Sequence, residues 1–354
     1  MVARALPVAL LAGAASAACP LSVEITSSNN HVVDVAVTNT GSETLSVFKG
    51  NTVFSDHATK DLLVTDAEGN ALPFEGVFVN YKRTGLSADA FQKIEAGQTV
   101  TVSVNAAKSY KLDSVAQAKV IAIQGFRYAA GEAVPSSFAD LQSCADVASG
   151  EVEVVPDQAA AAEQHISRKR DVINSRIQKR AITYSSCTAS QTTALKTSVN
   201  NAISMAKAAS TAAGAGTFFF TTWFKSTSVK AKVQSIYNSV AGVQTTSPLI
   251  SCADTYKDCV DGSALLYTVP ADNVIVPCAN NGFWGFPELA PQCAGDDYDR
   301  AGAMLHEMTH LYGTDDWGYG PVAAQALSAT KAAANADTYE MYAESVRLGG
   351  CTTG

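Results

Sequence analysis

Histidine is scarce in this 354-residue chain, which has only His31, His57, His165, His306 and His310. Three of them precede the dibasic pair Lys179-Arg180, so any chemistry beyond that pair that needs imidazole depends on His306 and His310. Long apolar runs are missing too. After residue 18 nothing supplies the roughly 18 uninterrupted apolar residues of a membrane-spanning helix, so no membrane partner is expected. No Asn-x-Ser/Thr acceptor occurs, and N-glycosylation is not expected. None of the later cysteines has the Cys-x-x-Cys spacing of a thiolate zinc site, which favours structural bridges. Basic excess is absent as well: the net charge of −8 argues against a nucleic-acid or anionic-membrane footprint.

Residues 1–18 carry Arg4, an apolar stretch from Ala5 to Ala14, and small residues up to Ala18. This is the pattern of a secretory signal peptide and implies an extracellular product. Eight cysteines suit that compartment. They divide into Cys19 and Cys144 before the dibasic pair, and Cys187, Cys252, Cys259, Cys278, Cys293 and Cys351 after it. Both numbers are even, so each part can close its own bridges.

Residues 19–150 read as short strands, with alternation over 32–38 and 99–104 and an apolar run over 120–125. A mainly β, sandwich-like prodomain is expected. Residues 151–180 form an Ala- and charge-rich linker holding Arg168-Lys169-Arg170 and ending in Lys179-Arg180, where a secretory-pathway processing protease is expected to cut. Residues 181–354 turn mainly helical: 190–213 and 218–240 carry apolar residues at helical spacing, and 322–348 reads as one long or broken helix. Around Pro270-Ala271-Asp272-Asn273 two short apolar runs suggest a hairpin, so this part is expected to be a mainly α domain with a small β hairpin or sheet. Phe218-Phe219-Phe220 is expected in the core.

Within the helical part stands His306-Glu307-Met308-Thr309-His310. Histidines four apart share one face of a helix and suit two ligands of a tetrahedral zinc, with Glu307 as general base. The bland alternative is an amphipathic helix with two surface histidines. A third ligand should be a carboxylate, with a Tyr the less favoured alternative: Gly313 can end the helix in a left-handed conformation and bring Asp315 or Asp316 back to the metal. Asp337 competes from the later helix, where a hydrogen bond to a ligand suits it better. Tyr319 is the candidate oxyanion donor, its alternative role being packing.

The sequence His306-Glu307-x-x-His310 followed by Gly313-Thr314-x-Asp316-x-x-Tyr319-Gly320 resembles the signature of the deuterolysin or neutral protease II family, the fungal secreted aspzincins. The leader, the long propeptide, the dibasic junction, Cys187 soon after it and six later cysteines extend the resemblance over the chain. It implies a zincin-like metallopeptidase made as a zymogen, with one Zn²⁺ per chain. His306, His310 and Asp316 would be the ligands, Glu307 the base and Tyr319 the oxyanion donor. It also implies the bridges Cys187–Cys252, Cys259–Cys278 and Cys293–Cys351, where sequence alone leaves 15 pairings open. Protein substrates would be basic, such as histones and protamine. Nine Lys and Arg against fourteen Asp and Glu beyond Arg180 suit cationic substrates, and Asp296, Asp297, Asp299 and Asp315 are the candidate attracting cluster. A monomer is expected.

Here only Leu311 and Tyr312 separate His310 from Gly313, a spacing shared with metzincin peptidases. Those need a methionine turn beneath the metal, and the only later methionine, Met341, has no turn residue near it. From another functional class, an exported binding or surface protein with a vestigial metal site is the alternative.

Overall fold

The computed structural model describes residues 19–164, 181–259, 262–292 and 299–350. The leader, Arg168–Arg170, Lys179, Arg180, Cys293, Cys351, Asp296 and Asp297 lie outside the described residues. In the first part the strands are β1 (Leu21–Asn29), β2 (Val32–Asn39), β3 (Leu45–Phe48), β4 (Leu62–Asp66), β5 (Phe78–Tyr81), β6 (Phe91–Ile94), β7 (Thr99–Asn105), β8 (Ala118–Ala130), β9 (Gln142–Ala148) and β10 (Val152–Val154). β1 alternates buried Leu21, Val23 and Ile25 with exposed neighbours, as a strand with one face on a core must. It pairs with β2, and β2 with β7, in a three-stranded sheet. The second sheet runs β10-β8-β3-β6, with β4 and β9 also on the long β8. Val35 and Val37 of the first sheet share one apolar cluster with Val64, Val120 and Phe126 of the second. Two sheets closing on one core is the sandwich-like arrangement expected, and Cys19 is bonded to Cys144 in β9.

The second part contributes β11 (Thr183–Ser185), β12 (Leu249–Ser251), β13 (Ala264–Val269) and β14 (Val274–Pro277). Its helices are α1 (Ala189–Ala215), α2 (Phe218–Phe224), α3 (Lys230–Ala241), α4 (Arg300–His310), α5 (Gly320–Ala326), α6 (Ala329–Ala332) and α7 (Ala336–Leu348). Thr188 and Gln191 form a capping box at the start of α1, and Gly216 in the left-handed conformation ends it. Phe220 and Phe224 pack against Tyr339 and Tyr342 in the helical core. Cys187 is bonded to Cys252 and Cys259 to Cys278.

Two expectations left alternatives open, and the broken helix and the sheet are the ones found. The segment 322–348 breaks into three helices, with Leu327 extended after α5 and Asn335 extended before α7. The β structure of this part is also larger than a hairpin. β13 and β14 do form one around a short 3₁₀ turn at Pro270–Asp272, but they belong to a five-stranded mixed sheet ordered β11-β12-β14-β13-β5. Its last member comes from the first part of the chain. β5 pairs antiparallel with β13, setting Phe78 opposite Thr268, Val79 opposite Tyr267 and Asn80 opposite Leu266.

Candidate active site

Helix α4 carries the motif. Asp299 caps it by accepting the Gly302 N–H at 2.6 Å, and every residue from Ala301 to His310 is buried. His306 and His310 are 0 % and 2 % exposed, which removes the reading of two surface histidines.

Beyond His310 the chain reverses. Gly313 has φ of 90°, a conformation in which a β-carbon is strained, and Thr314 follows with its N–H on the Thr309 carbonyl at 3.4 Å. Asn335 then holds the returning loop. Its Oδ1 accepts the N–H groups of Trp317 at 2.7 Å and Gly318 at 3.0 Å, and its Nδ2 donates to the Gly318 carbonyl at 2.9 Å. With the loop fixed, Asp316 Oδ1 lies 3.2 Å from His306 Nε2 and 3.4 Å from His310 Nε2. Asp315 points elsewhere and pairs with Lys60 at 2.7 Å.

The donor set fits a zinc ion. His306 Nε2, His310 Nε2 and both oxygens of Asp316 are buried and make no hydrogen bond, although they converge within 4.8 Å. Unpaired buried polar atoms are expensive, and two imidazoles with a carboxylate are a zinc donor set that leaves a fourth position open. The outer nitrogens orient the rings. His310 Nδ1 faces the Thr314 carbonyl at 3.0 Å, which fixes its N–H there and presents Nε2 inward. His306 Nδ1 faces Asp337 Oδ1 at 3.2 Å and Glu340 Oε2 at 3.4 Å. Asp337 also accepts the Gly320 N–H, tying the ring to the end of the loop.

The electrostatics follow from this packing. Burial by itself would lower the His306 imidazole, but Asp316, Asp337 and Glu340 outweigh it and raise it well above its ordinary value. Burial would raise Asp316, yet the two imidazoles hold it well below the usual carboxylate range. Glu307 is raised to about 7, chiefly by burial, against the opposing imidazoles. Thr268 of β13 donates to its Oε2 at 2.6 Å and leaves Oε1 without a hydrogen bond. The Tyr319 phenol is raised well above its ordinary value by burial and then by Asp316, so it remains a donor. Its hydroxyl donates to the Val79 carbonyl at 2.6 Å.

The structure therefore gathers His306, Glu307, His310, Asp316 and Tyr319. Of the expected acidic cluster, the two described members, Asp299 and Asp315, do not come together. Asp299 is the buried cap at the opposite end of α4 from Asp315 and also meets Arg347 at 3.3 Å. The carboxylates beside the site are instead Asp337 and Glu340, and Arg83 lies between them at 2.8 and 3.4 Å, all three nearly inaccessible. Glu340 stands three residues after Asp337 on α7, a spacing that puts both on one helix face and could have marked it. Met341 lies within α7 and not in a turn, so the methionine feature of metzincins is missing here.

A helix-borne histidine pair, a carboxylate returned by the next turn and a glutamate held by the neighbouring strand define the class: this is a zinc metalloendopeptidase. Residues 208–344 match the model of the aspzincins, described as lysine-specific metallo-endopeptidase. The chain is 33 % identical over 365 residues to a neutral protease 2 homolog of Phaeosphaeria nodorum, covering 98 % of this chain and 99 % of that one. It is 31 % identical to a neutral protease 2 homolog of Sclerotinia sclerotiorum, over 93 % of this chain and 90 % of the other. A neutral protease 2 homolog of Pyricularia oryzae is 30 % identical over 93 % and 92 % of the two chains. The chain belongs to this aspzincin, or neutral protease 2, family. That membership places it among enzymes and not among exported binding proteins.

Proposed function

We propose that the protein is a secreted endopeptidase made as a zymogen, in which His306, His310 and Asp316 hold one zinc ion. The observation that carries this reading is the convergence of their buried, unpaired donor atoms. Bound by these residues, zinc would supply an acidified water and polarise the scissile carbonyl. Glu307 takes the proton of the attacking water on Oε1 and returns it to the leaving amine, a role for which a buried carboxylate raised to about 7 is suited. Thr268 keeps that carboxylate in place through its other oxygen. Once freed from Val79, Tyr319 donates to the oxygen of the tetrahedral state.

Basic proteins are the proposed substrates. Asp337 and Glu340 accommodate the Arg83 guanidinium next to His306, which supports a preference for a cationic side chain beside the scissile bond. The family description as lysine-specific agrees with that preference. Residues 19–150 are the proposed prodomain and 151–180 the linker, with a processing protease cutting after Arg180 and the mature enzyme acting outside the cell as a monomer.

The test is to sequence the N-terminus of the secreted form, measure its zinc, and digest protamine and an acidic protein with it. Zinc-dependent cleavage by a chain starting at Ala181, faster on protamine, is expected. A zinc-loaded mature chain that has been separated from residues 19–180 and cuts neither protein would overturn the proposal.

A further inference from the structure

Resting on the zymogen reading, the contact between the two parts points to how activation proceeds. β13 would form the edge of the catalytic sheet if β5 were absent. β5 lies along that edge as an added strand, the mode in which extended peptides bind exposed sheet edges. The Phe78 ring stacks on His310, with centroids 4.2 Å apart and planes within 6°. The Tyr319 hydroxyl is engaged twice, by the Val79 carbonyl and by the Asn51 amide. Prodomain residues thus cover the metal-ligand helix, the phenol and the strand edge together.

Among the described residues, the hold on β5 does not pass through the linker. Val77, Val79 and Tyr81 share an apolar cluster with Tyr267, Val269 and Val276 of the catalytic part. Beside that cluster His57 meets Asp258 at 3.0 Å, both buried, and Arg83 meets Asp337 at 2.8 Å. The linker leaves from β10, which is paired to β8, and the chain re-enters at β11, which is paired to β12. Neither pairing needs a covalent connection to the other. The bridge Cys19–Cys144 lies wholly before the dibasic pair, and the two later bridges wholly after it.

We propose that cutting after Arg180 does not by itself release activity: the severed prodomain stays seated on the catalytic part with β5 along the β13 edge, and inhibition ends only when that strand leaves. Processing would then yield a stable two-chain inhibited complex, and dissociation or destruction of the prodomain would be the activating event.

The test uses the full secreted chain, loaded with zinc and cut to completion by a dibasic-specific protease, with Ala181 confirmed as the new N-terminus. Size-exclusion chromatography and hydrolysis of a short fluorogenic peptide are followed together. The fragments should coelute, hydrolysis should stay low, and specific activity should rise on dilution, as release of a separate chain requires. Asn80→Pro, which puts a residue without an N–H opposite Leu266, should raise the activity of the cut protein at least about tenfold. Phe78→Ala, which leaves the strand intact and uncovers His310, should act in the same direction should Asn80→Pro fail to fold. Fragments that separate on cutting, or coeluting fragments whose hydrolysis appears in step with the cut, would overturn the proposal. Coelution with no hydrolysis in any sample, diluted and variant ones included, would instead sink the peptidase reading, since retention is read by chromatography alone.

Discussion

Replacing Asn335 with alanine tests whether the loop after His310 is held from α7. The side chain satisfies the N–H groups of Trp317 and Gly318 and the Gly318 carbonyl, and it is fully buried. Asn335→Ala orphans all three groups at once. At the low end of about 1–3 kcal/mol for each buried group left unpaired, the loss is on the order of 3 kcal/mol, or roughly a hundredfold if all of it falls on the ordering of the loop. The loop carries Asp316, so the cost should appear as weaker zinc retention and slower peptide hydrolysis, with thermal stability lowered as well. Asn335→Asp keeps the acceptor for both N–H groups but sets a carboxylate oxygen against the Gly318 carbonyl, and should also fall below wild type. Dialysis against a graded zinc buffer, followed by metal analysis and peptide hydrolysis, reads both quantities. Unchanged zinc affinity and activity in Asn335→Ala would show that the loop is held by something else.

Glu307→Gln should keep zinc and fold while losing the base, a drop of about 10²–10⁴ in rate, and near-normal turnover would contradict its role. For Tyr319→Phe the expectation is a kcat lowered by about 10²–10³ at unchanged zinc content; loss of metal would make the residue structural. Asp337→Ala should weaken zinc affinity by about 10–100-fold by freeing His306 Nδ1, measurable by competition with a fluorescent chelator, and an unaltered affinity would remove it from the site's support.

Much of the catalytic part was legible because its signals are local. The four-residue spacing on α4, the glycine at 313 and the carboxylate after it fix one another within about a dozen residues, so residue chemistry alone predicts the turn that the structure contains. The change from β to helical character was equally readable from periodicity. What escaped is long-range. β5 joins a sheet whose other strands begin only at Thr183, and Arg83 meets a carboxylate 254 residues further on. No pattern within 78–83 says which edge that strand will cover. Asp299 was misplaced for another reason: it reads as a free surface charge in the sequence but serves as a helix cap, where the α4 backbone and Arg347 take up its oxygens. Asn335 carried no signal either, since a lone asparagine before a helix is most simply read as a cap.

Whether His306, His310 and Asp316 hold zinc is decided by metal analysis of three variants, Asp316→Ala, Asp315→Ala and Asp337→Ala, after identical dialysis. Asp316→Ala should lose stoichiometric zinc and activity together, Asp337→Ala should lose less of both, and Asp315→Ala should retain its metal, because that side chain faces Lys60. Stoichiometric zinc persisting in Asp316→Ala while it is lost from Asp315→Ala or Asp337→Ala would remove Asp316 from the ligand set.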